Sequence, residues 1–200
     1  MPQTAPADER SAMSPRVRAG LALPERLAAD LDGSFEELVV AHQQQLYAFI
    51  AGLCGDPGRA EEVVQDAFVR AHRAMRSYDA ERIRELALRP WLFRIALNAL
   101  RTGLRSRRPH LVLSESPPEG ADPAPGPEGE ALRGEERDRL LRALASIPEE
   151  QRAAVLLRHA HDLGYPQIAE VQGRPVGTVK SDVHRGILAL RRRMAAEVEA

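Results

Sequence analysis

Apolar positions recur at helical spacing through most of the chain, and a long interruption divides them into two blocks. The first stripe is Phe35, Leu38, Val39, Leu46, Phe49, Ile50 and Leu53, with His42 filling one turn. Ser34 and Glu37 stand three residues apart and read as a capping box, so the spacing predicts a helix from residue 34. Residues 1–33 are then expected to form a partly disordered N-terminal extension, since Met1 to Gly20 is rich in Ala, Pro and Ser and lacks a signal peptide's apolar core. Gly52, Gly55 and Asp56-Pro57 end the first helix and begin a second, with Asp56 as N-cap.

The second helix has a clean stripe of Ala60, Val63, Val64, Ala67, Phe68, Ala71 and Met75, while Glu61, Glu62, Gln65, Asp66 and Arg70 occupy its other face. Ser77-Tyr78-Asp79 breaks it, and Ile83 to Leu88 reads equally as a short helix or an ordered loop. Arg89-Pro90 opens a third helix to about Arg105, with Leu92, Ile95, Ala96, Ala99 and Leu100 as its inward stripe. Arg94, Arg101, Arg105, Arg107 and Arg108 make it basic, and no acid occurs between Trp91 and Arg108.

Periodicity stops from Pro109 to about Glu136, where prolines alternate with Gly, Glu and Asp. This stretch, residues 109–136, is expected to be a flexible acidic linker. Helical pattern returns in residues 137–200: Leu140, Leu141, Leu144 and Ile147, then a helix from Pro148 through Val155, Leu156 and Leu157, then a short one from about Pro166. Gln172-Gly173-Arg174-Pro175 is a turn. The last helix runs to about Ala195, with Val176, Val179, Val183, Ile187, Leu190 and Met194 inward.

Composition agrees with an all-α fold of two small helical domains, 34–108 and 137–200: aromatics are 4% and the apolar content is mostly Ala, Leu and Val. The net charge of −1 excludes a uniformly basic nucleic-acid binder, so any binding must follow local charge. A single cysteine, Cys54, allows no internal disulfide and fits a reducing, cytoplasmic setting, where it reads as a small core residue. No run approaches the roughly 18 apolar residues of a membrane span. The six histidines show no zinc-ligand spacing, and neither a phosphate loop nor a nucleophile–base pair is found. No catalysis, cofactor, metal or small-molecule substrate is expected.

Short helix, glycine turn and longer helix form the layout of a helix-turn-helix, whose second helix reads the major groove with its N-terminal residues. Those residues are Thr178, Lys180, Ser181, Asp182 and Arg185, taken here as off the apolar stripe; Arg174 and Arg191-Arg192-Arg193 flank them and suit phosphates.

Pro175-Val176-Gly177-Thr178-Val179-Lys180-Ser181 resembles the recognition-helix start of the sigma-70 family, in its extracytoplasmic-function group. Ile147-Pro148-Glu149-Glu150-Gln151-Arg152 and Ile168-Ala169-Glu170 occupy matching places. Independently, the string from Ala60 to Ala71 resembles the family's polymerase-binding helix, and Arg89 to Asn98 resembles the start of its promoter-melting helix. The resemblance spans about Phe35 to Arg108 and Arg137 to Arg193. It implies a sigma factor that binds core RNA polymerase, through the β′ clamp helices and the β subunit, and recognises promoter DNA. Glu61, Glu62, Gln65, Asp66 and Arg70 would meet polymerase. Tyr78, Trp91, Arg94, Asn98, Arg101 and Arg105 would bind and melt the −10 element, with a flipped base held near Ser77 to Leu86. Arg174, Thr178, Lys180, Ser181, Asp182 and Arg185 would read the −35 element. The linker would thread through the polymerase, and an anti-sigma partner is common in the family.

Trp91 suits either a stacked base or a core position. Asp182 departs from the family, many of whose members carry Arg there; a carboxylate either accepts from cytosine N4 or repels phosphate. Taken without the N-terminal strings, the helix-turn-helix fits equally a stand-alone regulator with a helical sensor or dimerisation domain. A nuclease would need paired metal-binding carboxylates, and no such pair is recognisable.

Overall fold

The computed structural model describes residues 21–106 and 139–196, and every regular element among them is helical. Helix α1 (Leu23–Ala29) has Pro24 in its first turn and ends at Asp30, whose side chain accepts from Gly33 N–H at 3.0 Å and caps α2 (Leu31–Cys54). The expected capping box at Ser34 is therefore corrected. Ser34 lies inside α2, buried, and its Oγ donates to Arg26 C=O at 3.3 Å, while Glu37 takes Arg26 Nη2 at 2.6 Å. The expected disorder is corrected over residues 21–33 as well. Leu23 and Leu27, four apart on α1, face the core together with Leu31 at the start of α2, and Leu27 is fully buried. Residues 1–20 of the expected extension lie outside the described residues.

Gly55 ends α2 at φ 70°, where its N–H meets Ala51 C=O at 2.8 Å; glycine reaches this left-handed conformation without a Cβ clash. Asp56 then caps α3 (Pro57–Met75) by accepting from Arg59 N–H at 3.1 Å. The seven residues of the α3 stripe are all buried, in the register the spacing predicts. Residues after Tyr78 form a helix, α4 (Ala80–Glu85), capped by Asp79 and anchored by buried Ile83 against α1. Helix α5 (Leu88–Ser106) buries Phe93 and Leu97 in addition to the predicted stripe, while Ile95 is half-buried.

The extra burial on α5 comes from the second block. There, residues 139–145 form α6, and α7 (Glu149–Val155) continues into a π-helical turn, Leu156–Ala160. Then follow α8 (Tyr165–Gln172), a left-handed Gly173 at φ 64°, and α9 (Val176–Ala196). Helix α9 crosses α7 so closely that a Cβ on Gly186 would lie 2.6 Å from Val155 Cγ2. Val176 and Met194, predicted inward, are each 37% exposed.

Helix α8 lies along α5, so Phe49, Phe93, Leu157, Leu163 and Ile168 share one core. The linker at 109–136 lies outside the described residues, but the two blocks are joined by packing whatever it does. His161 stands edge-on to Phe49 at 5.8 Å and against Phe93 at 4.8 Å between ring centroids. Arg89 Nη2 donates to His161 C=O at 2.6 Å, and Arg152 Nη1 donates to Leu53 C=O at 2.5 Å, satisfying a carbonyl at the end of α2. Arg101 and Glu149 pair at 2.8 Å across the same interface.

Candidate nucleic-acid interface

On the face of α5 away from α8, the end of α3, α4 and the start of α5 enclose an open recess of about 420 Å³. Its wall consists of Arg70, Ala74, Tyr78, Arg82, Leu86, Trp91, Arg94, Ile95 and Asn98. Tyr78 is held by its N–H bond to Met75 C=O at 3.0 Å, with Ser77 Oγ on Ala74 C=O at 2.7 Å, so the turn is built rather than loose. Trp91 stands 6.3 Å from the Tyr78 ring at a 59° tilt, and the Arg82 guanidinium lies 3.8 Å from the Tyr78 centroid. Trp91 is half-buried, packed on the core and lining the recess, so it is partly core and partly wall. Arg94 and Asn98 follow at i+3 and i+7 on the same face, both exposed.

This brings together four of the residues named for the −10 contact: Tyr78, Trp91, Arg94 and Asn98. Arg101 lies apart, engaged with Glu149 at the domain interface, and the Arg105 side chain lies outside the described residues. Arg82 and Ile95 were not among the named residues, although Arg82 sits four positions after Tyr78 in the segment flagged around the break. The recess can take a flat, apolar-faced and hydrogen-bonding group, stacked on aromatic rings and surrounded by cationic and amide donors.

Glu61, Glu62, Gln65 and Asp66 are all exposed on α3, and Arg70 pairs with Asp66 at 2.8 Å, one helical turn apart. Val69 lies within this face at 47% exposure, an apolar position that the charge pattern does not mark. An exposed apolar side chain inside a charged face gives a partner helix something to bury.

On α9, Lys180, Ser181 and Arg185 are exposed and Thr178 is half-buried. Ser181 Oγ donates to Gly177 C=O at 3.0 Å, and Lys180 Nζ lies 5.7 Å from the Tyr165 ring centroid, the two helices of the motif thus sharing a cation–aromatic contact. His184, also exposed on this surface, was not named from the sequence. Asp182 is corrected. It is 3% exposed, and its carboxylate accepts from Arg174 Nη1 at 2.6 Å and from Arg185 Nη2 at 2.8 Å. An acceptor already filled from two sides and turned into the protein does not face a base edge.

Burial, aided by Arg89 and opposed by Asp162, pushes the His161 imidazole down to about 4. Burial lowers His42 as well, again with Arg89 contributing. No cluster of His, Cys, Asp and Glu among the described residues is arranged to hold a metal ion, and no described helix is long and apolar enough to cross a membrane.

Residues 38–110 match the family described as Sigma-70 region 2, and residues 137–190 match Sigma-70, region 4. The RNA polymerase sigma-H factor of Pseudomonas aeruginosa is 32% identical, over 82% of this chain and 87% of its own length. The ECF RNA polymerase sigma-E factor of Escherichia coli is 32% identical over the same shares. Among solved structures, CnrH in complex with the cytosolic domain of CnrY is similar at a TM-score of 0.62 and 25% identity, covering 88% of this chain and 95% of that one. The sigma factor RpoE in complex with the anti-sigma factor NepR from Bartonella quintana has the same fold, at a TM-score of 0.63 and 23% identity over 80% of this chain and 96% of that one.

A helical domain with an aromatic, basic recess, followed by a helix-turn-helix domain, defines a two-domain transcription protein. The chain belongs to the sigma-70 family, in its extracytoplasmic-function group, and is an RNA polymerase sigma factor that acts in transcription initiation. The stand-alone regulator is thereby set aside, because the match covers both blocks in order. The relatives are sigma factors, which are not enzymes.

Proposed function

We propose that the recess between Tyr78 and Trp91 receives an unpaired base of the −10 element, and that Arg94 and Asn98 bind the strand beside it. The observation that carries this reading is the juxtaposition itself: two aromatic rings, Arg82 stacked on one of them, and an exposed Arg–Asn pair one and two turns beyond Trp91. A base leaves the duplex at a cost of a few kcal/mol, which stacking and hydrogen bonds in such a recess offset. The exposed face of α3, from Glu61 to Arg70 and including Val69, docks on the β′ clamp helices of core polymerase. Helix α9 enters the −35 major groove with Thr178, Lys180, Ser181 and Arg185, while Arg174 meets the backbone. The chain works in the cytoplasm, where its polymerase is, with residues 109–136 as the connection between the domains.

An anti-sigma partner belongs to the same reading: one solved neighbour is described with an anti-sigma factor, and the other with a cytosolic protein domain. Reconstituted transcription tests the scheme. Glu62→Ala, Gln65→Ala and Asp66→Ala combined should abolish co-elution with core polymerase. Tyr78→Ala with Trp91→Ala should leave core binding intact and reduce open-complex formation at least tenfold. Unchanged melting by the double variant, measured with permanganate on the −10 strand, would refute the recess as a base site.

A further inference from the structure

We infer that Asp182 is a positioning residue for promoter recognition: from inside the helix pair it aims the guanidinium groups of Arg174 and Arg185 at the DNA. The inference rests on the reading of α9 as the −35 helix. Asp182 follows Val179 by three and precedes Gly186 by four, so its side chain leaves α9 on the buried side, and its exposure is 3%. A carboxylate in that position is costly unless each oxygen is filled by a charged donor. Both are. Oδ2 takes Arg174 Nη1 at 2.6 Å from the turn between the two helices, and Oδ1 takes Arg185 Nη2 at 2.8 Å from the next turn of α9.

The consequence is geometric. Arg174 lies directly after the left-handed Gly173 and before Pro175, and Arg185 lies about two and a half turns into α9, yet one carboxylate ties them together. Each guanidinium keeps further N–H donors beyond the one spent on Asp182, and both side chains remain partly open, Arg185 the more so. A free arginine loses rotamer entropy when it binds DNA. These two are held in advance, so less is lost per contact formed. Charge changes in the opposite sense: the acid cancels one of the two positive charges and weakens attraction to any phosphate backbone. Asp182 therefore trades non-specific grip for a defined direction of two donors.

That trade separates this role from a purely structural one. In the holoenzyme, with −35 elements randomised, Asp182→Asn should lower discrimination between best and median −35 sequences about tenfold, the scale of one well-placed arginine–base contact. Binding of the full chain to unrelated duplex DNA should at the same time strengthen and grow steeper in salt, by up to about 0.9 in the log–log slope for the one charge released. In an Arg174→Gln, Arg185→Gln background, Asp182→Asn should leave −35 discrimination unchanged, although non-specific binding still strengthens because a negative charge is removed. A fall in specific and non-specific binding together, or an equal loss of −35 discrimination from Asp182→Asn with and without the two arginines, would overturn the inference. Should Asp182→Asn fail to fold, as judged by helical circular dichroism, Arg174→Gln with Arg185→Gln must itself lose the −35 discrimination; its retention overturns the inference equally. A wild-type holoenzyme indifferent to the −35 sequence would instead overturn the assignment of α9 as the reading helix.

Discussion

Lowering the pH should open the contact between the two domains, and His161 sets the size of the effect. Its imidazole is buried between Phe49 and Phe93, with Arg89 bonded to its own carbonyl, and its pKa is pushed from 6.5 to about 4. A pKa depressed in the closed state means that closure is fully favoured above 6.5 and is lost as pH falls towards about 4. The whole gap is worth about 3 kcal/mol at about 1.4 kcal/mol per unit, and about 2 kcal/mol of it is reached by about pH 5, a shift of roughly thirtyfold in the closed-to-open ratio. Dyes at the exposed positions Glu36 and Glu170, with Cys54 replaced by Ser, report the separation by energy transfer. Transfer should drop between about pH 7.5 and about pH 5 while helical circular dichroism holds. His161→Phe keeps a ring between the two phenylalanines and carries no proton, so it should flatten the profile. An equal drop in His161→Phe, or none in the wild type, would show that the imidazole does not control the interface.

Three further outcomes follow from the packing. Gly186→Ala places a Cβ 2.6 Å from Val155 Cγ2 and should cost about 1–3 kcal/mol in a thermal melt, much of it recovered by adding Val155→Ala. Phe93→Ala removes a ring shared by both domains and should cost about 3–5 kcal/mol, with the loss of transfer between the two dyes preceding global unfolding. Asp30→Ala deletes the cap of α2 and the acceptor that meets Gly33, and should cost about 1 kcal/mol in denaturant titration, whereas a helix beginning at Ser34 would make it silent.

Much of the site is legible in the sequence. The α3 stripe specified which side chains face outward, so Glu61, Glu62, Gln65 and Asp66 were placed on the open side by spacing alone. Trp91, Arg94 and Asn98 share a helix face by the same arithmetic. Tyr78 joins them only because the turn after α3 and the capped helix α4 fold back over α5, and Arg82 reaches the recess through that return. Asp182 shows a different failure. The spacing Val179, Asp182, Val183, Gly186 puts it on the inward side of α9 despite its charge. The resolving contact, with Arg174, comes from outside the helix.

Local pattern, then, determined most of the helices, the capped beginning at Asp56 and the outward faces, because each depends on residues within one or two turns; it missed α1 and the cap at Asp30. It could not determine that α5 is covered twice. Phe93 and Leu97 lie beside the predicted stripe, and their burial depends on α8 and on His161, some seventy residues away in the case of Arg89 and His161. Only tertiary structure brings such groups together, since the free energy of that contact comes from water excluded between two surfaces that neither segment carries alone.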